Sequence, residues 1–376
     1  MNRKMLLAAV AGAAMMAGTA SEAADYKVGV MQSLTGPFAF IGVGVKNGMM
    51  LALDELNKAQ ALGAGNTLVV PFEDDAGDRT QSVTLFRKFA VDSAVLAVVG
   101  PTSGAAAPAV AAAANEMKTP LISTVSNVAV LQAGPYGFIM GAPAVVSIPY
   151  IGKYAVETLK VKNCVSIGLH DNESYVLLER VFVDYVTKAG VKFVSQEGIK
   201  VSDSDFSAVT TKVAAMKDID CLYVSAPAPQ AANLVTQLRA AGLASGVRII
   251  GHNALASPDL VAKGGAAVEG VYLMADFTPG GGSDDGRAFV AAYKARFGSE
   301  PDNWAALGYS EMRIAAAIVK AAGPNPTRES VKDVALKVRV PVVTGDGMFF
   351  FDEQRLPHYG MAILQVKDGK FVAAPK

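Results

Sequence analysis

The stretch "VVGPTSGAAAPAVAAAANEM", residues 98–117, runs an apolar strand into a Gly-Pro-Thr-Ser-Gly turn and on into a tract of alanines. Alanine is the best helix former, so the tract reads as a helix whose first N–H groups have no partner within the helix. Those groups point away from the strand end, and their partial positive charge makes a seat for an anion. Thr102, Ser103 and Gly104 surround that seat.

The same unit, a short strand followed by a helix, recurs on both sides of it. Apolar runs bounded by Gly, Pro, Asp or Asn read as buried parallel strands. They fall at Tyr26–Met31, Thr67–Phe72, Val95–Val99, Pro120–Ser123, Cys164–Leu169, Lys192–Glu197, Cys221–Ser225, Val247–Gly251 and Val268–Ala275. Helical patterns alternate with them at Gly44–Lys58, Thr80–Asp92, Ser147–Leu159, Ser174–Ala189 and Gln230–Ala241. Such alternation predicts an α/β fold with parallel sheets covered by helices on both faces. Beyond Ala275 the pattern gives helices at Asp284–Phe297, Trp304–Ala322 and Arg328–Lys337. Short strands close the chain around Met348–Phe351, Tyr359–Val366 and Lys370–Ala373.

The N-terminus carries Arg3 and Lys4, an apolar small-residue run from Met5 to Ala17 and a Ser21-Glu22-Ala23 site. That is the layout of a secretory signal peptide over residues 1–23, and Met5–Ala20 is too short and too rich in Ala and Gly to read as a membrane span. Roughly 350 residues remain, more than one hydrophobic core usually serves, so two lobes are expected. The 34 basic residues balance 34 acidic ones, which argues against nucleic acid as a partner. Cys164 and Cys221 both begin apolar runs. Two buried thiols are expected, with a bridge between neighbouring strands left open.

In doubly wound sheets, ligands bind beyond the carboxyl ends of the strands, so the loops after strands matter most. In order they contain "SLTGPFAFIG" (33–42), "EDDAGD" (73–78), "VVGPTSGAAAP" (98–108), "HDNESY" (170–175) and the block "DFSAVTTKVAAMKDIDCLYV" (205–224). Their succession resembles the periplasmic solute-binding proteins of type I fold, in the branch of the leucine/isoleucine/valine-binding proteins of ABC importers. The resemblance covers essentially the whole chain after the leader. It implies two doubly wound parallel-sheet lobes joined by three crossovers, lobe one being 25–142 plus 278–352 and lobe two 143–277 plus 353–376. The crossovers fall near Gly141–Pro143, Phe277–Pro279 and Asp352–Pro357. It further implies a periplasmic protein that closes on a small carboxylate ligand and delivers it to ABC transporter permease subunits in the inner membrane.

By the same resemblance, Ser103 with nearby amides, or Thr102 in its place, holds the ligand carboxylate. Thr124 and Ser126 in "STVSN" complete the grip, and Tyr175 shuts over the ligand from lobe two. Hydroxyls before a helix also serve as caps, and that reading stands beside the binding one for Ser103, while Asp171, Asn172 and Ser174 read as caps first. Phe40 and Phe277 are candidates for the pocket wall or for the core. Amino-acid binders of this family hold the ligand ammonium with an acid in the loop where this chain has Ile250-Gly251-His252-Asn253. A neutral Asn253 with His252 suits an oxygen-bearing group instead, because an unpaired buried ammonium costs several kcal/mol. The expected ligand is therefore an amine-free aromatic or 2-oxo acid. The alternative is an ordinary amino-acid binder using Glu173 or Asp276.

Enzyme readings fare worse. "GVGVKNG" (42–48) lacks dinucleotide spacing, and the three histidines stand apart without metal-type spacing. No nucleophile elbow is present. No catalytic residue, cofactor or metal is expected. Two competing classes remain, a periplasmic sensor feeding a membrane receptor and a hydrolase on the same fold.

Overall fold

A computed structural model describes residues 24–278, 280, 282–345 and 347–375. The expected leader, residues 1–23, lies outside them, as does Pro279 at an expected crossover.

The first half of the chain builds one parallel sheet from β1 (Asp25–Gln32), β2 (Thr67–Val69), β3 (Phe72–Asp74), β4 (Val95–Val99), β5 (Leu121–Ser123) and β6 (Gly137–Ile139). Between them run α1 (Ala39–Lys58), α2 (Arg79–Val91), α3 (Ala107–Glu116) and α4 (Ala129–Gln132). The second sheet takes β7 (Asn163–Leu169), β8 (Lys192–Ile199), β9 (Cys221–Ser225), β10 (Arg248–Gly251) and β11 (Tyr272–Ala275). Its helices are α5 (Ala144–Glu157), α6 (Glu173–Lys188), α7 (Ser207–Ala214), α8 (Ala228–Ala240) and α9 (Pro258–Gly264). The chain then returns to the first body with α10 (Asp284–Phe297), α11 (Asn303–Ala321) and α12 (Arg328–Val334), and with the antiparallel strands β12 (Arg339–Pro341), β13 (Met348–Phe351) and β14 (Pro357–His358). It ends in β15 (Ala362–Lys367) and β16 (Lys370–Ala373), an antiparallel pair on the β11 edge of the second sheet.

Strand orders β2-β1-β4-β5-β6 and β11-β10-β9-β7-β8 both reverse direction at an interior strand. In each sheet the crevice at that reversal is where a ligand fits. The loops after β1 and β4 in one sheet, and after β7 and β9 in the other, therefore converge.

Several local expectations are corrected. α1 begins at Ala39, ahead of the expected Gly44, because its glycines serve contact rather than a loop. A Cβ on Gly42 would lie 2.1 Å from the Ser33 carbonyl oxygen, and one on Gly44 would lie 2.9 Å from Trp304 Cβ. The run Thr67–Phe72 divides into β2 and β3 around Pro71, whose carbonyl accepts from Val30 N–H. Cys164 and Cys221 are joined as a disulfide instead of remaining thiols. Parallel pairing of β7 with β9 sets them directly opposite, with Cα atoms 4.4 Å apart. The third passage between the bodies lies after His358 rather than at Asp352–Pro357. Residues up to there stay with the first body because Arg355 donates to the carbonyls of Leu131, Gly134 and Gly137, and β14 pairs with β13.

Candidate functional site

A cavity of about 680 Å³ lies where the carboxyl ends of the two sheets meet. That size suits a small organic ligand.

One wall comes from the loops after β4 and β5. Thr124 donates its hydroxyl to the Pro101 carbonyl (2.7 Å), and Asn127 Nδ2 donates to the Gly104 carbonyl (3.0 Å), so each loop braces the other. These bonds consume donors but leave others free. Ser126, through both its hydroxyl and its N–H, and Gly104, through its N–H, have no partner among the described residues and line the cavity. Opposite stands the first turn of α6. Asn172 caps that helix by accepting from Ser174 N–H (3.1 Å), which leaves the Ser174 hydroxyl to face the cavity. The two walls touch there, since a Cβ on Gly104 would lie 2.6 Å from Ser174 Oγ. Two helix N-terminal regions thus approach one space from opposite bodies, and both favour negative charge.

The apolar walls come from Phe38, Ile41 and Val45 of the α1 region, Tyr175 of α6, and Trp304 and Leu307 of α11. Spacings of three and four residues put Trp304, Leu307 and Glu311 on one helix face. Tyr175 is buried, its carbonyl accepts from Ser225 Oγ (2.8 Å), and its ring packs 5.4 Å from that of His252. Burial pushes its phenol well above the usual range, so it stays neutral.

The floor carries Asn253, Asp276 and Glu311. Asp276 accepts from Asn303 Nδ2 (3.0 Å), Asn253 Nδ2 (3.2 Å) and the Tyr359 hydroxyl (3.0 Å). The Tyr359 hydroxyl in turn accepts from Ala142 N–H (2.9 Å). Burial raises the pKa of Asp276, and these three donors offset only part of that rise. Glu311 is buried with no hydrogen bond to its carboxyl among the described residues.

Of the residues expected from sequence, Thr102, Thr124, Ser126, Tyr175 and Asn253 line the cavity. Thr102 is not free to donate, because its hydroxyl already donates to Gln32 Oε1 (2.5 Å) and accepts from Ser33 N–H (3.0 Å). Ser103 lies outside the lining. It is buried, and its carbonyl accepts from Ala106 and Ala107 N–H. His252 is also placed elsewhere. It is a fully buried cap whose Nδ1 accepts from Ala254 N–H (3.2 Å), and burial drives its pKa down to about 3, so the ring is neutral. Phe40 packs edge-on to Trp304 and lines a separate recess, while Phe277 is buried edge-on to Phe289 in the first core. The lining residues that sequence reading passed over are Trp304 and Glu311, while Ser174, read there first as a cap, also lines the cavity. For Glu311 the signal was an acid on the apolar stripe of a helix, a position that a solvated charge avoids.

Comparison with known proteins gives a consistent neighbourhood. The family model described as "Periplasmic binding protein" matches residues 25–370. "Leu/Ile/Val-binding protein homolog 1" of Brucella abortus (strain 2308) is 28% identical over 372 residues, covering 96% of this chain and 95% of that one. Among solved structures, the branched-chain amino acid transporter substrate binding protein LivJ of Streptococcus pneumoniae, in complex with isoleucine, superposes with a TM-score of 0.82 at 25% identity. It covers 93% of this chain and 98% of its own. A solute binding protein of an ABC transporter from Rhodopseudomonas palustris BisB5, in complex with 3,4-dihydroxy benzoic acid, also gives 0.82, at 24% identity, covering 93% and 96%.

Proposed function

The chain belongs to the periplasmic binding protein family, and from that premise we propose that it is the substrate-binding component of an ABC importer, closing on a small carboxylate. The two bodies act as lobes, the three passages of chain between them as a hinge, and permease subunits in the inner membrane as the receiving partner. The observation that carries this reading is the convergence of unpaired donors on one cavity. Gly104 N–H and Ser126 come from one lobe, and the Ser174 hydroxyl at the N-terminus of α6 comes from the other. Neutral donors and helix ends hold a carboxylate without the desolvation cost of a buried cation. Contact from both sides favours the closed form only when ligand is present.

Ser126→Ala is expected to weaken ligand binding by about 1–3 kcal/mol, the scale of a hydrogen bond to a charged group. Titration calorimetry measures it. An unchanged affinity would move the carboxylate elsewhere in the cavity.

For the ligand itself, the reading is an amine-free aromatic or 2-oxo acid. Asp276, the charge best placed to meet an ammonium, already takes three donors, and Phe38, Tyr175 and Trp304 suit a flat apolar body. The second reading is an amino acid, favoured by the name of the Brucella relative. Calorimetry with leucine, phenylalanine, benzoate, 4-hydroxycinnamate and phenylglyoxylate separates the two. Heats from the amine-free acids are expected, and tight leucine binding with silent aromatic acids would reverse the assignment.

A further inference from the structure

Glu311 and Asp276 line the same floor, but the protein treats them differently. Asp276 accepts from Asn253, Asn303 and Tyr359, a set of neutral donors that stabilises a negative charge. Glu311, only 2% exposed, accepts from nothing among the described residues. Two neighbouring buried carboxyls do not both ionise cheaply. The donors decide which gives way, leaving the charge on Asp276 and the proton on Glu311. Consistent with this, burial and the Asp276 charge both push Glu311 far above the usual carboxyl range. Asp276, just after β11, and Tyr359, from the segment before β15, interact with it, and His170, Asp171, Glu173 and the cation Arg180 line the same cavity from the α6 side.

A protonated carboxyl has one O–H to donate, and leaving it unmatched in a buried wall is costly. No acceptor for it is found among the described residues. Asn253 shares the floor with one of its two Nδ2 hydrogens spent on Asp276, and His252 lies outside the lining.

We infer that Glu311 sets the specificity of the cavity by donating its O–H to a second oxygen, a hydroxyl or keto oxygen, on the acid held at Gly104 and Ser126. The inference rests on the carboxylate reading above and adds the chemistry of the ligand's other end. Affinity for such a ligand is present while Glu311 keeps its proton and is lost as pH rises through its elevated pKa.

The test is calorimetry of the full chain with 3,4-dihydroxybenzoate and with benzoate, which lacks the second oxygen, together with thermal melts to show that each variant is folded. The parent is expected to prefer the dihydroxy acid by about tenfold or more, the scale of one buried hydrogen bond. Glu311→Ala should erase that preference. Glu311→Gln, which keeps a donor at the same place but cannot ionise, should recover it and remove its decline at alkaline pH. Equal affinity of the parent for the two acids, a preference that survives Glu311→Ala, or a Gln variant as impaired as the Ala variant would each overturn the inference. Tight leucine binding with both aromatic acids silent is a different result and overturns the amine-free reading beneath it.

Discussion

Gly308→Ala is expected to lower the melting temperature by roughly 6–12 °C, corresponding to about 3 kcal/mol in a body of this size. Alanine is the better helix former, and at an exposed position the exchange would stabilise α11 by about 1 kcal/mol. Here the added Cβ would lie 2.0 Å from the Val45 carbonyl oxygen of α1. The reciprocal contact is as close, with a Cβ on Gly48 lying 1.9 Å from the Ala305 carbonyl oxygen. Both obstacles are backbone, so no rotamer change relieves them, and the helices must separate. The steric cost wins over the propensity gain. Separation also disturbs the cavity, because α1 and α11 carry Val45, Trp304, Leu307 and Glu311 in its walls. Thermal denaturation followed by circular dichroism measures the effect, and a variant melting at or above the parent would show that the crossing has room to spare.

Asp276→Ala is expected to cost about 3–5 kcal/mol, because it strands three donors at once, one buried and two partly buried. Asn253, Asn303 and Tyr359 all direct a hydrogen at this carboxylate. Asn303 is bound to the same segment a second way, its Oδ1 accepting from the N–H groups of Asp276 (2.6 Å) and Phe277 (3.1 Å). Asp276→Asn keeps one carbonyl oxygen for the donors and removes a buried charge, so it should cost less than alanine. Urea denaturation of both variants checks the order. An alanine variant as stable as the parent would mean that the donors find other acceptors, and that the carboxylate holds nothing together.

The two-sheet plan was legible because parallel strands buried on both faces read as short uninterrupted apolar runs, as in "VLAVV" (95–99) and "CLYVS" (221–225). The loops after β4 and β5 were legible as hydroxyl- and glycine-rich strand ends, though which hydroxyls stay free was not, because Thr102 is spent on Gln32 and Ser33. What stayed hidden depended on partners distant in sequence. The glycines of "GPFAFIGVG" (36–44) look like a loop until Gly42 is known to press on the Ser33 backbone and Gly44 on Trp304 of α11. The disulfide required the register of β7 on β9, which periodicity does not supply. His252 looked available because a ring beside a strand end can face either way, and only packing against Tyr175 and Tyr223 turned it inward. Nothing near Arg355 in sequence marks its three carbonyl partners, more than two hundred residues away, which move the last passage between bodies downstream.

The phenol of Tyr359 sits on that last passage, accepts from Ala142 on the first and donates to Asp276 on the second. One oxygen atom therefore pins all three connections, and the proposed closure pivots about it. In a rotation, displacement grows with distance from the pivot. Asp276 touches the pin and so travels little, while residues farther from it travel more. In the proposed closure, contacts made at Asp276 change least between the open and shut forms, and contacts made far from the Tyr359 oxygen change most.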